Sequence, residues 1–404
     1  MTRSVVVVSL RTGDWLDPCL ASVRDQADQL VVVDNGSSGA EVSEVGRRYR
    51  ATVLRNHDNR GFAGGANQGL REATGDVVAV LNDDAVAEPS WLDVCEEALG
   101  DPSVAAVTPK VLLEGWYGQL LDDSDAWHAP SDDRPLGRQL TSVSHAGHEL
   151  LDRLVGPGVH RLEPTLIGGD ESRWRWTRPG KPFFVPLPGP DPGATVLVNG
   201  SETVGVSAVC RLINNAGLFL RSDGYAGDHG LECPDDGRFD QARETFGATG
   251  TALAVRAEVL QRVGLFAEPF FAYYEDADWS WRARRAGLRV LYEPGTSVSH
   301  RRSVTSVRTL GDRVRILGER NRLLTLVRNA PAGVLSHQVW RRLADGPDHG
   351  IRRGMVAHLP WALGTRAALA RSALVGTGVV WDRWAGADVR WDDGPCAPRA
   401  ADRG

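Results

Sequence analysis

The stretch Asp76–Ala85 reads DVVAVLNDDA, a run of apolar, largely β-branched residues that stops abruptly at Asn82-Asp83-Asp84. Such a run suits a strand buried on both faces of a parallel sheet, which delivers its terminal carboxylates to the carboxyl edge. In open α/β sheets that edge is where ligands bind. Hard oxygen ligands there suit Mg2+ or Mn2+, ions that keep water and substrate phosphate among their ligands. Taken alone, the same residues read equally well as a polar loop before a helix opened by Pro89. The flanking sequence decides between them.

Upstream, SVVVVSL (Ser4–Leu10), QLVVVDNGSS (Gln29–Ser38) and ATVLRN (Ala51–Asn56) read as further strands, separated by helical faces through Trp15–Val23 and Val42–Tyr49. The glycine-rich NRGFAGGANQGL (Asn59–Leu70) opens another helix, which Gly75 closes. This βαβαβαβ order predicts a mostly parallel sheet covered by helices, with right-handed crossovers. Two strands then end in acids, Asp34 and Asp83/Asp84. Asp34 suits hydrogen bonds from a nucleobase or ribose, and the helix start near Gly64 and Gly65 suits a diphosphate. GFAGGANQG is neither GxGxxG nor a loop with GK[ST], and its glycines serve close packing equally well.

Downstream, Trp91–Leu99 reads as an amphipathic helix and Ser103–Leu113 as another strand. From about Gly115 to Gly247 the chain turns rich in Gly, Pro, Asp and Trp, with short alternating runs between turn signals; a small β-sandwich-like insertion is expected. Within it Trp174 and Trp176 alternate with Arg173, Arg175 and Arg178, either an aromatic platform for a sugar ring or core tryptophans under a sheet. A strand, helix and turn follow in Gly247–Phe266. Then Glu275, Asp276 and Asp278 crowd the start of a helix that carries Arg282, Arg284 and Arg285 later. Helix electrostatics alone favours that order. The apolar FFAYY just before it (Phe270–Tyr274) offers a second reading, a carboxylate of raised pKa acting as general base. LRVLYEP (Leu288–Pro294) reads as a strand, leaving His300 in the loop beyond, as a surface residue or a metal ligand.

At 404 residues the chain holds one large or two medium domains, and a net charge of −6 gives no support for nucleic-acid binding. Its five cysteines are scattered, odd in number and lack a CxxC pair, so neither a disulfide framework nor a zinc site is indicated and the cytoplasm is favoured. No apolar run is long enough to span a membrane. The carboxyl-terminal region reads as helices in which Trp361, Trp381 and Trp384 lie near Arg352, Arg353, Arg366 and Arg371. Packing on the rest of the protein and docking at an anionic membrane surface both fit that pattern. Beyond Gly386 the polar tail reads as disordered.

Together VVVDNGSS, NRGFAGGANQG, LNDDA, the Glu-Asp pair of YYEDADWSWR and the later Ser299-His300 resemble family 2 glycosyltransferases of the GT-A fold, especially bacterial rhamnosyltransferase-like and polysaccharide-assembly members. The resemblance covers about Ser4–Leu113 and Arg211–Pro331. It implies an α/β class: a Rossmann-like nucleotide-diphospho-sugar transferase sheet with helices on both faces, a β-rich insertion and a helical carboxyl-terminal region. The implied divisions are a nucleotide-sugar half (1–114), the insertion (115–210), an acceptor half (211–331), the helical region (332–386) and the tail (387–404).

The implied reaction is inverting transfer from a nucleoside-diphosphate sugar, dTDP-rhamnose or a UDP-sugar foremost, to a hydroxyl of a glycan or lipid-linked acceptor in cell-envelope polysaccharide assembly. It would occur in the cytoplasm, with peripheral contact at the inner face of the plasma membrane as an open alternative. Carried over by position, Asp34, Asn59, Gly61, Gly64, Asn67, Asn82 and Asp83 would bind the donor, and Asp84 and His300 the Mg2+ or Mn2+. Asn82 stands where the family often has the first acid of its DxD motif. Asp276 would be the base, Glu275 its neighbour, and Trp279 and Trp281 would shape the acceptor pocket. Two other classes share parts of this pattern: a sugar-nucleotide pyrophosphorylase, and a non-catalytic protein binding glycans through Trp174 and Trp176.

Overall fold

A computed structural model describes residues 1–10, 13–126, 134–160, 163–167, 170–301, 312–344 and 348–385. The expected disorder beyond Gly386 lies outside the described residues. The chain divides into two units, one built from 1–112, 215–229 and 239 onward, the other from 113–214 and 230–238.

In the first unit β1 (Arg3–Ser9), β2 (Gln29–Asp34), β3 (Thr52–Arg55) and β4 (Val77–Asn82) run parallel in the order β4-β1-β2-β3. Strands β1, β2 and β4 show no apolar–polar alternation because both faces are covered, while β3 at the sheet edge is more exposed. Val5 and Val7 of β1 share a core with Leu16 and Leu20 of α1 (Leu16–Val23) and Trp91 of α4 (Trp91–Leu99). Val6 packs the other way, with Ala63 and Ala66 of α3 (Gly61–Glu72), while α2 (Glu41–Arg48) lies between β2 and β3 in sequence. Helix α3 approaches β1 so closely that a Cβ on Gly65 would sit 2.7 Å from Val8 Cγ1, and one on Gly69 would collide with Val6. The glycine-rich stretch is therefore at least partly a packing device, the bland half of its sequence reading.

Beyond β4 the sheet turns antiparallel. The strand Ala252–Arg256 pairs with β4, Ala252 opposite Leu81, so its first residues meet the last of β4. The long strand Arg289–His300 pairs with β5 (Ala85–Ala87), His300 opposite Ala85. His300 is thus the last residue of a strand rather than part of a loop, because its pairing with β5 extends the strand past Pro294.

Helix α5 (Ala257–Val263) and helix α6 (Glu275–Arg285) follow the Ala252–Arg256 strand. Despite seven charged or polar side chains among its eleven residues, α6 is almost wholly buried. Several of its charges are matched, within the helix and from outside it. Asp278 accepts from Arg282 Nε (2.9 Å) and from Asn329 Nδ2 (2.8 Å), and Arg328 lies 3.2 Å away. Arg282 also reaches the Val263 and Leu265 carbonyls. Asn329 and Arg328 end α7 (Asp312–Asn329), and α8 (Ala332–Ala344), α9 (His349–Ser372) and α10 (Thr377–Trp384) complete the helical region. Trp361 meets Phe270 edge-on, Trp381 stacks on Trp281 and Trp384 tilts against Phe246. These tryptophans pack onto the protein, the first of the two accounts their sequence admits. No helix among the described residues is long and apolar enough to cross a membrane.

The second unit is made of small antiparallel sheets. Trp116–Leu121 lies between Pro182–Leu187 and Ala208–Cys210, and Thr195–Val198 between Val143–His145 and Glu202–Gly205. Leu120, Leu140, Phe183, Val185 and Val196 contribute to its core. Trp174 and Trp176 are half-buried, and Arg175 between them donates to the Leu154 carbonyl (2.7 Å), so the segment is neither an open platform nor a sealed core. Cys19, Cys95 and Cys210 are free thiols, whereas Cys233 is disulfide-bonded, a pairing the scattered cysteines gave no reason to expect.

Candidate active site

Parallel pairing aligns the strand ends that carry the acids: Ser9 lies opposite Asp34, and Val8 opposite Asn82. Asp34 is fully buried at the end of β2. Its Oδ1 accepts from Ser37 N (2.9 Å), while Oδ2 has no hydrogen-bond partner and only the Arg55 Nε at 3.5 Å. A buried carboxyl oxygen so placed is an acceptor awaiting a donor. Beside it an asparagine network closes the β2 and β3 ends: Asn35 Nδ2 donates to Asn59 Oδ1 (3.1 Å) and the Gly61 carbonyl (3.0 Å), and Asn56 donates to Asn35 Oδ1 (3.1 Å). Asn59 thereby shapes the turn into α3. Gly61, at φ 72°, is required there because a Cβ would strike the Phe271 carbonyl.

At the end of β4 the chain turns through Asp83 and Asp84 into β5, and the β5 pairing brings in His300. Its Nε2 lies 3.1 Å from Asp84 Oδ1 and 3.4 Å from Asn82 Nδ2. Asp84 is buried, and its Oδ2 has no hydrogen-bond partner. Asp83 instead accepts from Ser9 Oγ (2.7 Å); burial and the neighbouring Asp84 charge push its carboxyl up to about 7, with the Ser9 hydroxyl opposing them. Among the described residues no three His, Cys, Asp or Glu side chains converge as a ready-made metal cluster. A buried orphan carboxylate oxygen beside an imidazole still fits one divalent cation that takes its other ligands from phosphate and water.

Asp276, in the first turn of α6, accepts from Gly250 N through Oδ2 (2.9 Å) and from Ala277 N through Oδ1 (2.7 Å). Gly250 adjoins Thr251, whose carbonyl accepts from Asn82 N (2.9 Å), so the base candidate is tied to the end of β4. Burial raises the Asp276 carboxyl above the usual carboxylate range, and the Asp228 charge adds to it. Glu275 is buried with Oε2 unpartnered; burial and then Asp276 hold its carboxyl well up. Gly250, Asp228 and Ser9 belong to this site and escaped sequence reading, since nothing local marks a glycine amide or a strand-end serine as a carboxylate's partner.

Other expected site residues sit elsewhere. Asn67 is buried and binds Phe266 at both main-chain atoms (Nδ2 to O, 2.9 Å; N to Oδ1, 3.0 Å) and Glu268 Oε1 (3.0 Å); it fastens α3 to the chain before α6, leaving no amide for a donor. Trp279 is 2% exposed and donates to the Gly264 carbonyl (2.8 Å), and Trp281 is 0% exposed between Phe246 and Trp381. Both are core residues, which corrects their expected place in an acceptor pocket. Gly64 is buried at the start of α3, where a Cβ would meet only Arg60 Cβ, at 3.0 Å.

Residues 4–142 match the sequence model of glycosyl transferase family 2. Glucosyl-dolichyl phosphate glucuronosyltransferase of Haloferax volcanii is 28% identical over 136 residues, 32% of this chain and 44% of that protein. Pre-mycofactocin glycosyltransferase of Mycobacterium tuberculosis is 35% identical over 91 residues, 22% of this chain and 19% of that protein. The chain therefore spans less than half the length of these curated relatives. The crystal structure of GalNAc-T7 with UDP, GalNAc and Mn2+ superposes with a TM-score of 0.50 at 13% identity, covering 92% of this chain and 57% of that one; at that identity the likeness is one of fold, the GT-A arrangement.

Proposed function

We propose that this chain, whose residues 4–142 match the model of glycosyl transferase family 2, transfers a sugar with inversion from a nucleoside-diphosphate sugar, dTDP-rhamnose or a UDP-sugar, to a hydroxyl of a glycan or lipid-linked acceptor in cell-envelope polysaccharide assembly. One observation carries the reading: unpartnered buried oxygens of Asp34 and Asp84 on one sheet edge, with His300 against Asp84 and Asp276 tethered beside β4. The relatives that are glycosyltransferases by name, and the UDP and Mn2+ of GalNAc-T7, agree with it.

Asp34 offers Oδ2 to the base or ribose. Asp84 and His300 would hold Mn2+ or Mg2+, which when bound supplies positive charge against the leaving diphosphate. Asp276 takes the proton of the acceptor hydroxyl as that oxygen attacks the anomeric carbon from the face opposite the diphosphate. The bond to the diphosphate breaks as the glycosidic bond forms, and one displacement inverts the centre. Titration calorimetry with dTDP-, UDP- and GDP-sugars, with and without Mn2+, tests this: one donor should bind only with metal, and Asp84→Ala should abolish that binding. No donor bound under either condition would sink the reading.

A membrane-borne acceptor has its own surface to meet. Helix α9 exposes Val356 (68%), Leu359 (37%) and Leu363 (49%) along one side, with exposed Arg352 and Arg353 at its start, Arg371 near its end and no acidic residue throughout. An apolar row between basic ends matches an anionic lipid surface. Co-sedimentation with vesicles containing anionic lipid, lost on Leu363→Glu and absent with neutral vesicles, is the expected result.

A further inference from the structure

The backbone just ahead of Glu275 and Asp276 lies where L-residues rarely go. Phe271 (φ 68°, ψ −64°), Tyr273 (φ 72°) and Tyr274 (φ 71°, ψ −4°) all have positive φ, and Tyr274 is the residue that caps α6. None is glycine, so each conformation costs free energy and persists only where the surroundings over-determine it.

What over-determines it comes from α7. Asn321 is 0% exposed, and its Nδ2 donates to the carbonyls of Phe270 (2.9 Å), Ala272 (2.9 Å) and Tyr273 (2.7 Å). Two N–H groups thus serve three carbonyls interleaved with the positive-φ residues. Arg320 Nε donates to Asn321 Oδ1 (2.9 Å), which dictates the end of the amide that faces the loop, and Arg320 Nη2 donates to the Pro269 (3.0 Å) and Phe270 (2.8 Å) carbonyls. From the opposite side α3 holds the same segment, Ala63 N donating to the Phe271 carbonyl (3.1 Å). An apolar side chain would fill the Asn321 site without directing any of these carbonyls. The amide imposes an orientation that packing alone does not.

We infer that Asn321, oriented by Arg320, is a positioning residue: it holds Phe270–Tyr274 in the conformation that sets the start of α6 and aims the Asp276 carboxylate at Gly250 N and the reacting hydroxyl. A general base acts only within hydrogen-bond reach of its proton, and a displacement of about 1 Å costs on the order of 100-fold in rate. The inference rests on the reading of Asp276 as base.

The test uses the full chain, with turnover, donor affinity and thermal midpoint measured for Asn321→Ala, Asn321→Ser, Asp276→Asn and the double variant Asn321→Ala/Asp276→Asn. Leu20→Ala, a core truncation in α1, controls for lost stability. Asn321→Ala should lower kcat about 100-fold with donor affinity nearly unchanged, and Asn321→Ser, which keeps one donor and is the milder variant should alanine not fold, should fall between. Leu20→Ala should lower the midpoint and spare kcat. In the Asp276→Asn background Asn321→Ala should cost no further turnover, since no base remains to be aimed. An Asn321→Ala kcat near wild type, a loss shared by Leu20→Ala, or a full additional loss in the double variant would each overturn the proposal. Asp276→Asn retaining full turnover would instead overturn the base reading beneath it.

Discussion

The donor-side edge and the loop that delivers Asp276 solve the same problem, holding a carboxylate still, by opposite means. On the proposed donor side Asp34 is the last residue of a buried parallel strand and Asp84 lies two residues past the end of another, and the sheet register fixes Asp34 opposite Ser9 and Asn82 opposite Val8 without special backbone. On the proposed acceptor side Asp276 follows three positive-φ residues, and a side chain from α7 and the backbone of α3 hold that segment. A strand end inherits its precision from the sheet. A strained loop must be given it residue by residue, which makes it the more sensitive of the two to distant changes.

The largest effect expected lies on the acceptor side. Asp276→Asn keeps the size of the side chain and removes the base, so turnover should fall 10²–10⁴-fold, roughly 3–5 kcal/mol of barrier, with donor affinity nearly unchanged. Steady-state rates beside calorimetry check it, and a variant keeping more than a tenth of wild-type turnover would move the base elsewhere. On the donor side the pattern should invert: His300→Ala should weaken metal binding by at least about 10–100-fold, the cost of losing even an outer-shell partner, read as the Mn2+ concentration needed for half-maximal donor binding, while donor-saturated turnover changes less. Equal losses in both readouts would erase the distinction between the two regions.

That distinction also explains what could be read from the sequence. DVVAVLNDDA and QLVVVDNGSS announced strand and acid together, because a buried parallel strand is a continuous apolar run and whatever follows it lands on the ligand edge. Nothing comparable marks Phe271, Tyr273 and Tyr274: aromatic residues carry no local signal for positive φ, and the residue that compensates lies on a helix far along the chain. Trp279 and Trp281 went astray for the same reason. EDADWSWRARR reads as a polar helix with two tryptophans to spare, and only the carboxyl-terminal helices and the carbonyls that receive Arg282 and Arg284 turn it into a core element. Asn67 was read with its glycine-rich neighbours as a donor contact, yet its partners, Phe266 and Glu268, come from the other half of the chain.

A smaller effect follows from charge on the acceptor side. Burial, and then Asp228, push the Asp276 carboxyl up, against the backbone N–H groups of Gly250 and Ala277 that donate to it, and burial pushes Glu275 on the same helix turn up as well. Because the base works ionised, turnover should rise with pH through a value above the ordinary carboxylate range, and Asp228→Asn should move that limb to lower pH. Stability runs the other way. Between the ordinary and the raised values the folded chain binds more protons than the unfolded one, so stability declines as pH rises through that window. Thermal midpoints across acidic to neutral pH should show the decline, shallower in Asp276→Asn; a limb unmoved by Asp228→Asn would detach the acid limb from this carboxylate.

The smallest effects separate two adjacent glycines of α3. A methyl at Gly65 lands 2.7 Å from Val8 Cγ1 in a sealed helix–sheet contact, so Gly65→Ala should destabilise by about 1–3 kcal/mol, the usual cost of overpacking. A methyl at Gly64 meets only Arg60 Cβ at 3.0 Å, on a residue whose side chain is exposed. There the better helix propensity of alanine, up to about 1 kcal/mol, offsets the crowding and the thermal midpoint should barely move. If the start of α3 also faces the donor diphosphate, Gly64→Ala should weaken donor binding several-fold while leaving stability intact, and Gly65→Ala should do the reverse. Should Gly64→Ala bind donor as wild type does, the glycine-rich helix is a packing device along its whole length. Donor affinity would then rest on the strand-end residues alone.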